Sequence, residues 1–369
     1  MSNAQLAREV EGTFRQFLHL PNQHTFTVST LWTLHTHLRD VEGRFLPYIT
    51  PSLVYLSKAA GAGKTTALEI TTYLSHNGEM VIDPTPPSIV TLIDSNRSTL
   101  GFDEIDLYFG RGSARSSMRT ILNGGYKRGA YVTKRRNDET VRENIHAPVA
   151  MAGKNATSFL TLERFETLKS RSHCIIMEPK PADIEVDYFD EEVHLPRIRH
   201  LAERLKRWGL QHGRGITSSD PQIPRQIHNR NREIWKVLFQ VAGHLGEEWP
   251  QRCGEAARAF ILGEHDETNA PMESPADELL KWVRAVFSDT EDALPSIEIV
   301  GRLLELPGEH WWHREWSGAS DRVTTMGLAR QLAVHGIQHS KLYIDGSTPW
   351  GYRRADLGMP PVIAPAELD

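Results

Sequence analysis

The segment SKAAGAGKTT at residues 57–66 constrains the fold of this chain more than any other part of it. It follows SLVYL, which is typical of a buried strand, and precedes TTALEITTYL, which is typical of a helix. Gly61 and Gly63 let the backbone N–H groups turn inward around an anion at the N-terminus of that helix. This order predicts a phosphate-binding loop, although Lys58 stands where the full pattern has a glycine.

The residue types at the end of this loop fit the binding of a nucleoside triphosphate. The ammonium of Lys64 can reach the β- and γ-phosphates, and the hydroxyl of Thr65 can ligate Mg²⁺. We therefore expect ATP and Mg²⁺ as cofactors. The residues expected to hold the nucleotide are Gly61, Ala62, Gly63, Lys64, Thr65 and Thr66.

Two acidic residues, Asp103 and Glu104, end the apolar-leaning stretch LGFDE. At the end of a strand, the first acid can hold Mg²⁺ through water, and the second can act as general base on the attacking water. The sequence between the loop and these acids leaves room for one strand and one helix, as in ATPases with a catalytic glutamate. The absence of an NKxD guanine signature argues against a GTPase, whereas a small-molecule kinase stays open.

Three further residues are candidates for the nucleotide site. Asn155 follows a predicted strand at 147–153 and can contact the attacking water or the γ-phosphate. Arg171, between a predicted helix and a strand, can act as an arginine finger on a neighbour's nucleotide or simply stabilise a helix C-terminus. Arg230, in HNRNREIW, can contact phosphates from a helical lid or remain a surface residue.

The segment GGYKRGAYVTKRR at 124–136 combines cations with aromatic residues and contains no acid. Cations suit the phosphates of a nucleic acid, and tyrosine rings suit stacking on its bases. We expect a hairpin at 130–146 that contacts DNA, with a merely solvated charge run as the alternative. The expected DNA-binding residues are Lys127, Arg128, Lys134, Arg135 and Arg136, interleaved with Tyr126 and Tyr131.

A second candidate for DNA binding lies near the C-terminus. VTTMGLARQLAVHGI predicts a helix closed by Gly336, and KLYIDGSTPWGYRRADL predicts a hairpin that turns at Asp345-Gly346. Helices followed by a hairpin suggest a winged helix, a module that contacts either DNA or protein. The candidates for DNA contact in it are Lys341, Trp350, Arg353 and Arg354.

Composition narrows the functional class. The 369 residues are 39% hydrophobic and 24% charged, with a net charge of −5, and no apolar run approaches the length of a membrane span. A contact with nucleic acid must therefore be a local patch, and we expect no membrane partner. Two distant cysteines, Cys174 and Cys253, and a polar N-terminal segment suggest a reducing cytoplasm. His35 and His37 are expected to pack rather than to bind a metal.

Strands alternate with helices from 52 to 178, which predicts an α/β fold with a five-stranded parallel sheet covered on both faces. Amphipathic helices flank this region, and a polar, acidic stretch around Pro271 predicts a linker. The expected order is an N-terminal helical cap at 1–48, a P-loop ATPase core at 49–180, a helical lid region at 181–262, a linker at 263–274, a winged-helix-like domain at 275–358 and a disordered tail at 359–369.

Together these motifs resemble those of AAA+ ATPases of the helicase-related kind. TLWTLHTHL before the loop, ILNGGYKRG, ETLKSRS and LARQLAVHGI…GYRRADL further resemble a family of uncharacterised ATPases of actinobacterial phages, plasmids and integrated elements, often linked to primase modules. That family also tends to lack a glycine at the position of Lys58. The resemblance assigns the P-loop roles to Lys64 and Thr65 and the Walker B roles to Asp103 and Glu104. It assigns the role of the arginine finger to Arg171.

The resemblance implies an ATP-driven DNA helicase or translocase that forms a hexameric ring and serves replication of a mobile element. Single-stranded DNA would run through a pore lined by the hairpin at 130–146, and any primase would be a separate chain. Two positions depart from the family: Gly101 interrupts a strand that is usually aliphatic, and Asn229 precedes Arg230 where an acid is expected. The alternatives are a non-unwinding ATPase switch, such as an initiator, loader, defence or regulatory protein, and a small-molecule phosphotransferase.

Overall fold

The computed structural model describes residues 2–57, 61–105, 113–136, 139–154, 159, 163–262, 275–306, 324–333, 335–344 and 346–360. The chain divides into two compact units, Met1–Ala270 and Pro271–Asp369. The division falls within the predicted linker at 263–274, which itself lies outside the described residues, as does the predicted tail from 361 onward.

The first unit contains the predicted five-stranded, all-parallel sheet, so the mixed α/β fold is confirmed. Its strands are β1 (Ser52–Ser57), β2 (Gly78–Val81), β3 (Thr99–Phe102), β6 (Val149–Lys154) and β7 (Ser172–Ile176), and a separate hairpin consists of β4 (Tyr131–Arg136) and β5 (Glu139–Asn144). The spatial order is β2-β3-β6-β1-β7. Strand β6 therefore lies between the strand that precedes the phosphate-binding loop and the strand that precedes the two acids. Because all five strands are parallel, their carboxyl ends share one edge of the sheet.

The helices of the first unit, as far as the structure describes them, cover both faces of this sheet. They are α1 (Asn3–Phe17), α2 (Gln23–Thr36), α3 (Lys64–Leu74), α4 (Pro86–Asp94), α5 (Ser113–Gly124), α6 (Glu163–Lys169), α7 (Glu191–Ser218), α8 (Asn229–Leu245) and α9 (Trp249–Leu262). Helix α2 begins at Gln23, earlier than the predicted start near Ser29. The reason is a capping box, in which Asn22 and Thr25 each accept a hydrogen bond from the other's backbone N–H.

Strand β1 separates two apolar cores, because successive side chains of a strand point to opposite faces. Leu53 and Tyr55 belong to a core formed with α1, α2, α3 and the helices from α7 to α9. Val54 and Leu56 belong to a core formed with α4, α5 and α6. The predicted N-terminal cap and helical lid therefore pack into one core on one face of the sheet, rather than forming separate bodies.

The second unit has a small core of its own and an antiparallel sheet of order β8-β10-β9. Its described elements are α10 (Pro275–Ala285), β8 (Ala293–Pro295), α11 (Ser296–Glu305), α12 (Thr325–Ala333), β9 (Ser340–Lys341) and β10 (Trp350–Arg353). Trp350 pairs with Lys341, which confirms the predicted C-terminal hairpin. Strand β8 was not predicted, because three residues are too few to show a strand periodicity. In neither unit does a described helix combine the length and the apolar character needed to cross a membrane.

Candidate functional site

The predicted phosphate-binding loop follows β1 at the carboxyl edge of the sheet and leads into α3. Residues 58–60, which include Lys58, lie outside the described residues. Gly61 and Gly63 have φ angles of 77° and 76°, a left-handed conformation that glycine adopts without steric cost. Gly63 is the N-cap of α3 and has no side chain to occupy the first N–H groups of the helix. This N-terminus is therefore suited to an anion.

Lys64 and Thr65 occupy the first turn of α3 and contact two different strand ends. Lys64 Nζ donates a hydrogen bond to Oγ of Ser57, the last residue of β1, at 2.5 Å. Thr65 Oγ1 donates to Oδ2 of Asp103, which follows β3, at 2.9 Å. The fold thus brings the predicted lysine, threonine and aspartate to one edge of the sheet. Ser57 was not among the predicted site residues.

Glu104 has a φ angle of 51°, and its backbone N–H donates to Asp103 Oδ1 at 2.8 Å. A left-handed conformation costs a non-glycine residue on the order of 1 kcal/mol, and residues of this kind concentrate at functional sites. Asp103 thus accepts hydrogen bonds on both of its carboxylate oxygens. These bonds fix the orientation of its carboxylate relative to α3.

Gly101, the departure within β3, has a packing explanation. A Cβ atom at this position would lie 2.3 Å from Thr72 Oγ1 and 2.8 Å from Met80 Sδ. Both distances are shorter than atoms tolerate, so a larger residue would force the side chains of Thr72 on α3 and Met80 on β2 to shift. Glycine at 101 therefore permits the close packing of α3 on β3.

The donor set around Asp103 fits a hard, weakly ligated cation. Mg²⁺ is usually held by one or two protein oxygens together with substrate phosphates and water, and Thr65 and Asp103 supply one hydroxyl and one carboxylate. No group of three or more His, Cys, Asp or Glu that could hold a metal occurs in the described part of the chain. Asn155 lies outside the described residues, so its role stays a prediction.

Glu69 is a neighbour of this site that the sequence did not reveal. It lies one helical turn after Thr65 on α3, and burial raises the pKa of its carboxyl. The negative charges of Glu191 and Asp103 raise this pKa further. A glutamate in a helix belongs to no motif; the only sequence signal was its four-residue spacing from Thr65.

Arg171 lies at the opposite, amino edge of the sheet. Its backbone carbonyl accepts a hydrogen bond from the N–H of Ser52, the first residue of β1, at 3.0 Å. The phosphate-binding loop follows the other end of this strand, roughly 17 Å away at the usual rise per residue. The Arg171 guanidinium donates to the carbonyl of Asn123 and lies 4.3 Å from the centroid of the Tyr126 ring. Burial lowers the pKa of Arg171.

Arg230 lies at the same amino edge rather than beside the loop of its own chain. It donates to the Tyr126 hydroxyl at 2.9 Å, and its guanidinium lies 5.3 Å from the centroid of that ring. The structure therefore brings Arg171 and Arg230 together on one tyrosine and does not bring Arg230 to Lys64. A contact of Arg230 with nucleotide phosphates stays a prediction, and the nucleotide would have to be that of another copy.

The predicted hairpin forms, but its cations divide between two faces. Cross-strand partners share a face, so the register that pairs Thr133 with Arg142 places Tyr131, Arg135 and Arg142 on one face. The Arg142 guanidinium lies 4.5 Å from the centroid of the Tyr131 ring. Lys134 lies on the other face and forms an ion pair with Glu143 at 2.6 Å. Arg142 was not among the predicted DNA-binding residues, because it lies beyond the basic segment at 124–136.

Lys127 and Arg128 precede the hairpin and flank the ring of Tyr48. Lys127 Nζ lies 5.4 Å and the Arg128 guanidinium 5.5 Å from the ring centroid. Tyr48 is 55% exposed, so the two cations and the ring form one accessible group. Their role in DNA binding stays a prediction, as does that of Arg136, whose side chain is not described.

In the second unit, Lys341, Trp350 and Arg353 are exposed, and Lys341 Nζ lies 5.8 Å from the centroid of the Trp350 ring. Arg354 differs from these exposed residues, and its expected contact with DNA stays a prediction. Arg354 is only 6% exposed, and its guanidinium donates to the backbone carbonyls of Pro360 and Ser288. These bonds make it a structural residue that ties the C-terminal end of the unit to the turn after α10.

Comparison with known proteins gives partial matches. Residues 177–358 match the family described as "Protein of unknown function (DUF3631)". An "Uncharacterized 28.9 kDa protein in xis 5'region" of Saccharopolyspora erythraea is 26% identical over 156 residues, which are 42% of this chain and 56% of that protein. The phenylalanine–tRNA ligase beta subunit of Thermococcus gammatolerans is 24% identical over 132 residues, or 33% of this chain and 23% of that protein. The chain thus spans about half of the first relative and less than a quarter of the second.

Proposed function

We propose that the chain is an ATP-hydrolysing DNA helicase or translocase of the AAA+ helicase-related class, which acts as a ring in the replication of a phage or mobile element. The observation that carries the proposal is the hydrogen bond of 2.9 Å from Thr65 to Asp103, beside Lys64 at the carboxyl edge of a parallel sheet. This arrangement combines a phosphate-binding loop with a carboxylate suited to Mg²⁺.

Each residue at this edge has a distinct part in the proposed hydrolysis. Lys64 and the first N–H groups of α3 bind and orient the phosphates. Thr65 and Asp103 would hold Mg²⁺, which would neutralise developing charge on the phosphate oxygens. Glu104 accepts the proton of the attacking water.

The topology supports the AAA+ class. The expected strand and helix between the loop and the acids are β2 and α4, and β6 lies between β1 and β3 in the sheet. In the second unit, the described elements follow the order helix, strand, helix, helix, strand, strand, which supports a winged helix. The relative from Saccharopolyspora erythraea is encoded near xis, a position that supports a link to a mobile element.

Two further features support a ring that contacts DNA. Arg171 lies at the sheet edge opposite to the phosphate-binding loop, where it can serve a neighbouring copy but not its own site. Tyr131, Arg135 and Arg142 place two cations and one ring on the same hairpin face, a combination that suits single-stranded DNA.

The direct test is ATP hydrolysis with and without single-stranded DNA. We expect DNA to raise the rate, and we expect the double variant Arg135→Ala, Arg142→Ala to lose this stimulation. Lys134→Ala is the matched control, because Lys134 lies on the other face and is neutralised by Glu143. Each variant's rate without DNA is its own reference.

Glu104→Gln separates the motor from the ATPase switch. A motor requires hydrolysis, so this variant should bind ATP and DNA yet displace no strand. If DNA leaves the hydrolysis of the parent chain unchanged and no strand is displaced, the motor is excluded. ATP-dependent binding of partners by Glu104→Gln would then establish the switch.

A further inference from the structure

A cavity of about 380 Å³ lies in the first unit at the amino edge of the sheet, on the side opposite to the phosphate-binding loop. Helix α8 forms one wall, and the segments around Tyr48 and Tyr126 form the other. This volume falls within the range of small-molecule sites, roughly 300–1,000 Å³. The described residues that line it include Tyr48, Tyr126, Lys127, Arg230, Glu233 and Lys236.

The charges around this cavity do not balance. Lys127, Arg230 and Lys236 are cationic, and Glu233 is the one carboxylate among the described lining residues. Glu233 is already paired with Arg230 at 2.9 Å. Arg171 adds a second guanidinium on the Tyr126 ring, and the two arginines repel each other. An anion in the cavity would offset this excess of positive charge.

The cavity also offers aromatic surface next to its cations. Tyr126 has its hydroxyl held by Arg230, and Tyr48 stands at the rim with more than half of its surface exposed. Lys127 belongs both to the cavity lining and to the pair of cations that flanks Tyr48. Rings beside cations are the combination that binds a base and its phosphate together.

We infer that this cavity binds a nucleoside phosphate, supplied as one nucleotide of a single strand or as a free mononucleotide. The phosphate lies between Lys127, Arg230 and Lys236, and the base contacts the tyrosines. This is a second nucleotide site, separate from the one at Lys64. Only the case in which the ligand is a single strand rests on the proposed function; the site itself depends neither on the contact with single-stranded DNA nor on ATP hydrolysis.

The test uses the full chain with Lys64→Ala, which disables the phosphate-binding loop. Lys236→Glu is introduced into this parent. Lys236 is exposed on α8, and its replacement by glutamate reverses one charge at the cavity. Arg232→Glu is the matched control: the same charge change on the same helix, outside the lining. The two probes are a fluorescently labelled ten-residue oligo-dT, followed by anisotropy, and free dTMP, followed by calorimetry. Lys127→Glu replaces Lys236→Glu if thermal unfolding shows that the latter does not fold.

We expect Lys236→Glu to weaken binding about tenfold relative to Arg232→Glu, and to reduce the salt dependence of oligonucleotide binding by about one unit of slope. If Lys236→Glu weakens the binding of oligo-dT alone, the ligand is the single strand. If it weakens the binding of dTMP, the ligand is the free nucleotide. Equal binding of both probes by the two variants, or no binding of either probe to the parent, overturns the site.

The same experiment distinguishes this site from the proposed function. Oligo-dT binding that depends on Arg135 and Arg142 but not on Lys236 overturns the cavity and leaves the motor standing. Binding of dTMP that depends on Lys236, with no binding of oligo-dT, supports the cavity and removes the proposed contact with single-stranded DNA.

Discussion

Thr65 on α3 donates a hydrogen bond of 2.9 Å to Asp103 at the end of β3, although β3 and the strand that leads into α3, β1, lie on opposite sides of β6 in the sheet. The bond spans the sheet edge because parallel strands end together there. It holds a hydroxyl and a carboxylate in one place, which is the pair that the proposed magnesium site requires.

The first prediction concerns this pair. Thr65→Ala removes the hydroxyl, and we expect Mg²⁺-dependent ATP hydrolysis to fall by roughly a hundredfold or more, the usual effect of removing one preorganised polar group. Thr65→Ser keeps the hydroxyl and should retain most of the activity. The measurement is the hydrolysis rate across a Mg²⁺ titration. Equal rates for the two variants would remove Thr65 from the metal site.

Local sequence patterns were enough to predict the sheet and the residues that meet at its carboxyl edge. A strand, a glycine loop and a helix are contiguous at Lys64, and the acids at 103 and 104 follow their own strand directly. The contacts of the cationic side chains could not be predicted in this way. Arg142 joins Tyr131 only through the register of β4 on β5, and Arg354 is buried by residues distant in sequence. Such contacts depend on tertiary packing rather than on a motif.

The second prediction concerns Arg171 as a residue of a shared site. Since Arg171 lies about a strand length from its own phosphate-binding loop, its contribution to hydrolysis must be to another copy. Arg171→Ala and Lys64→Ala should each abolish hydrolysis. A mixture of the two should recover activity, because about a quarter of randomly assembled interfaces combine an intact Lys64 with an intact Arg171.

The control for this mixing experiment is Thr65→Ala combined with Lys64→Ala. Both changes lie in the same nucleotide site. Every subunit of that mixture therefore carries a defective site of its own, and no interface contains an intact one. Recovery in the first mixture alone establishes the trans role. If neither mixture recovers although both variants assemble, Arg171 acts only within its own chain, through its bond to Asn123 and its position on Tyr126.

The third prediction concerns an ion pair that joins α1 to α9. Glu11 accepts a hydrogen bond of 2.5 Å from Arg252, and both side chains are mostly buried. Burial alone raises the pKa of Glu11, but the hydrogen bonds from Arg252, Gln23 and Arg15 outweigh it and hold this pKa below its ordinary value. The charged pair is therefore favoured in the folded state.

Glu11→Gln leaves Arg252 without its charged partner, and we expect a loss of about 3 kcal/mol in the free energy of unfolding. Glu247→Gln is the control, because Glu247 pairs with Arg8 on the surface and exposed pairs contribute less than about 1 kcal/mol. Urea denaturation followed by circular dichroism measures both. Equal losses in the two variants would show that the buried pair adds nothing beyond a surface contact.

The fourth prediction follows from buried imidazoles in the first unit. His35 Nε2 forms a hydrogen bond of 2.8 Å with Thr50 Oγ1, and His37 Nε2 donates one of 2.8 Å to the carbonyl of Leu74. Both side chains pack within the core, as expected. Burial lowers the pKa of His35, His37 and His173 to about 3, and burial lowers that of His76 to about 2. These four side chains are therefore neutral in the folded protein at pH values well above 3.

An unfolded chain protonates the same four histidines near pH 6.5. Because the folded pKa values are lower, their contribution to stability is complete above about pH 6.5 and is lost as the pH falls below it. Each contributes about 1.4 kcal/mol of destabilisation per pH unit in that range, so the free energy of unfolding should fall steeply between pH 6 and pH 4. His173→Phe, which keeps a ring against Trp235, should reduce this slope by one proton. A slope unchanged by His173→Phe would contradict the assignment.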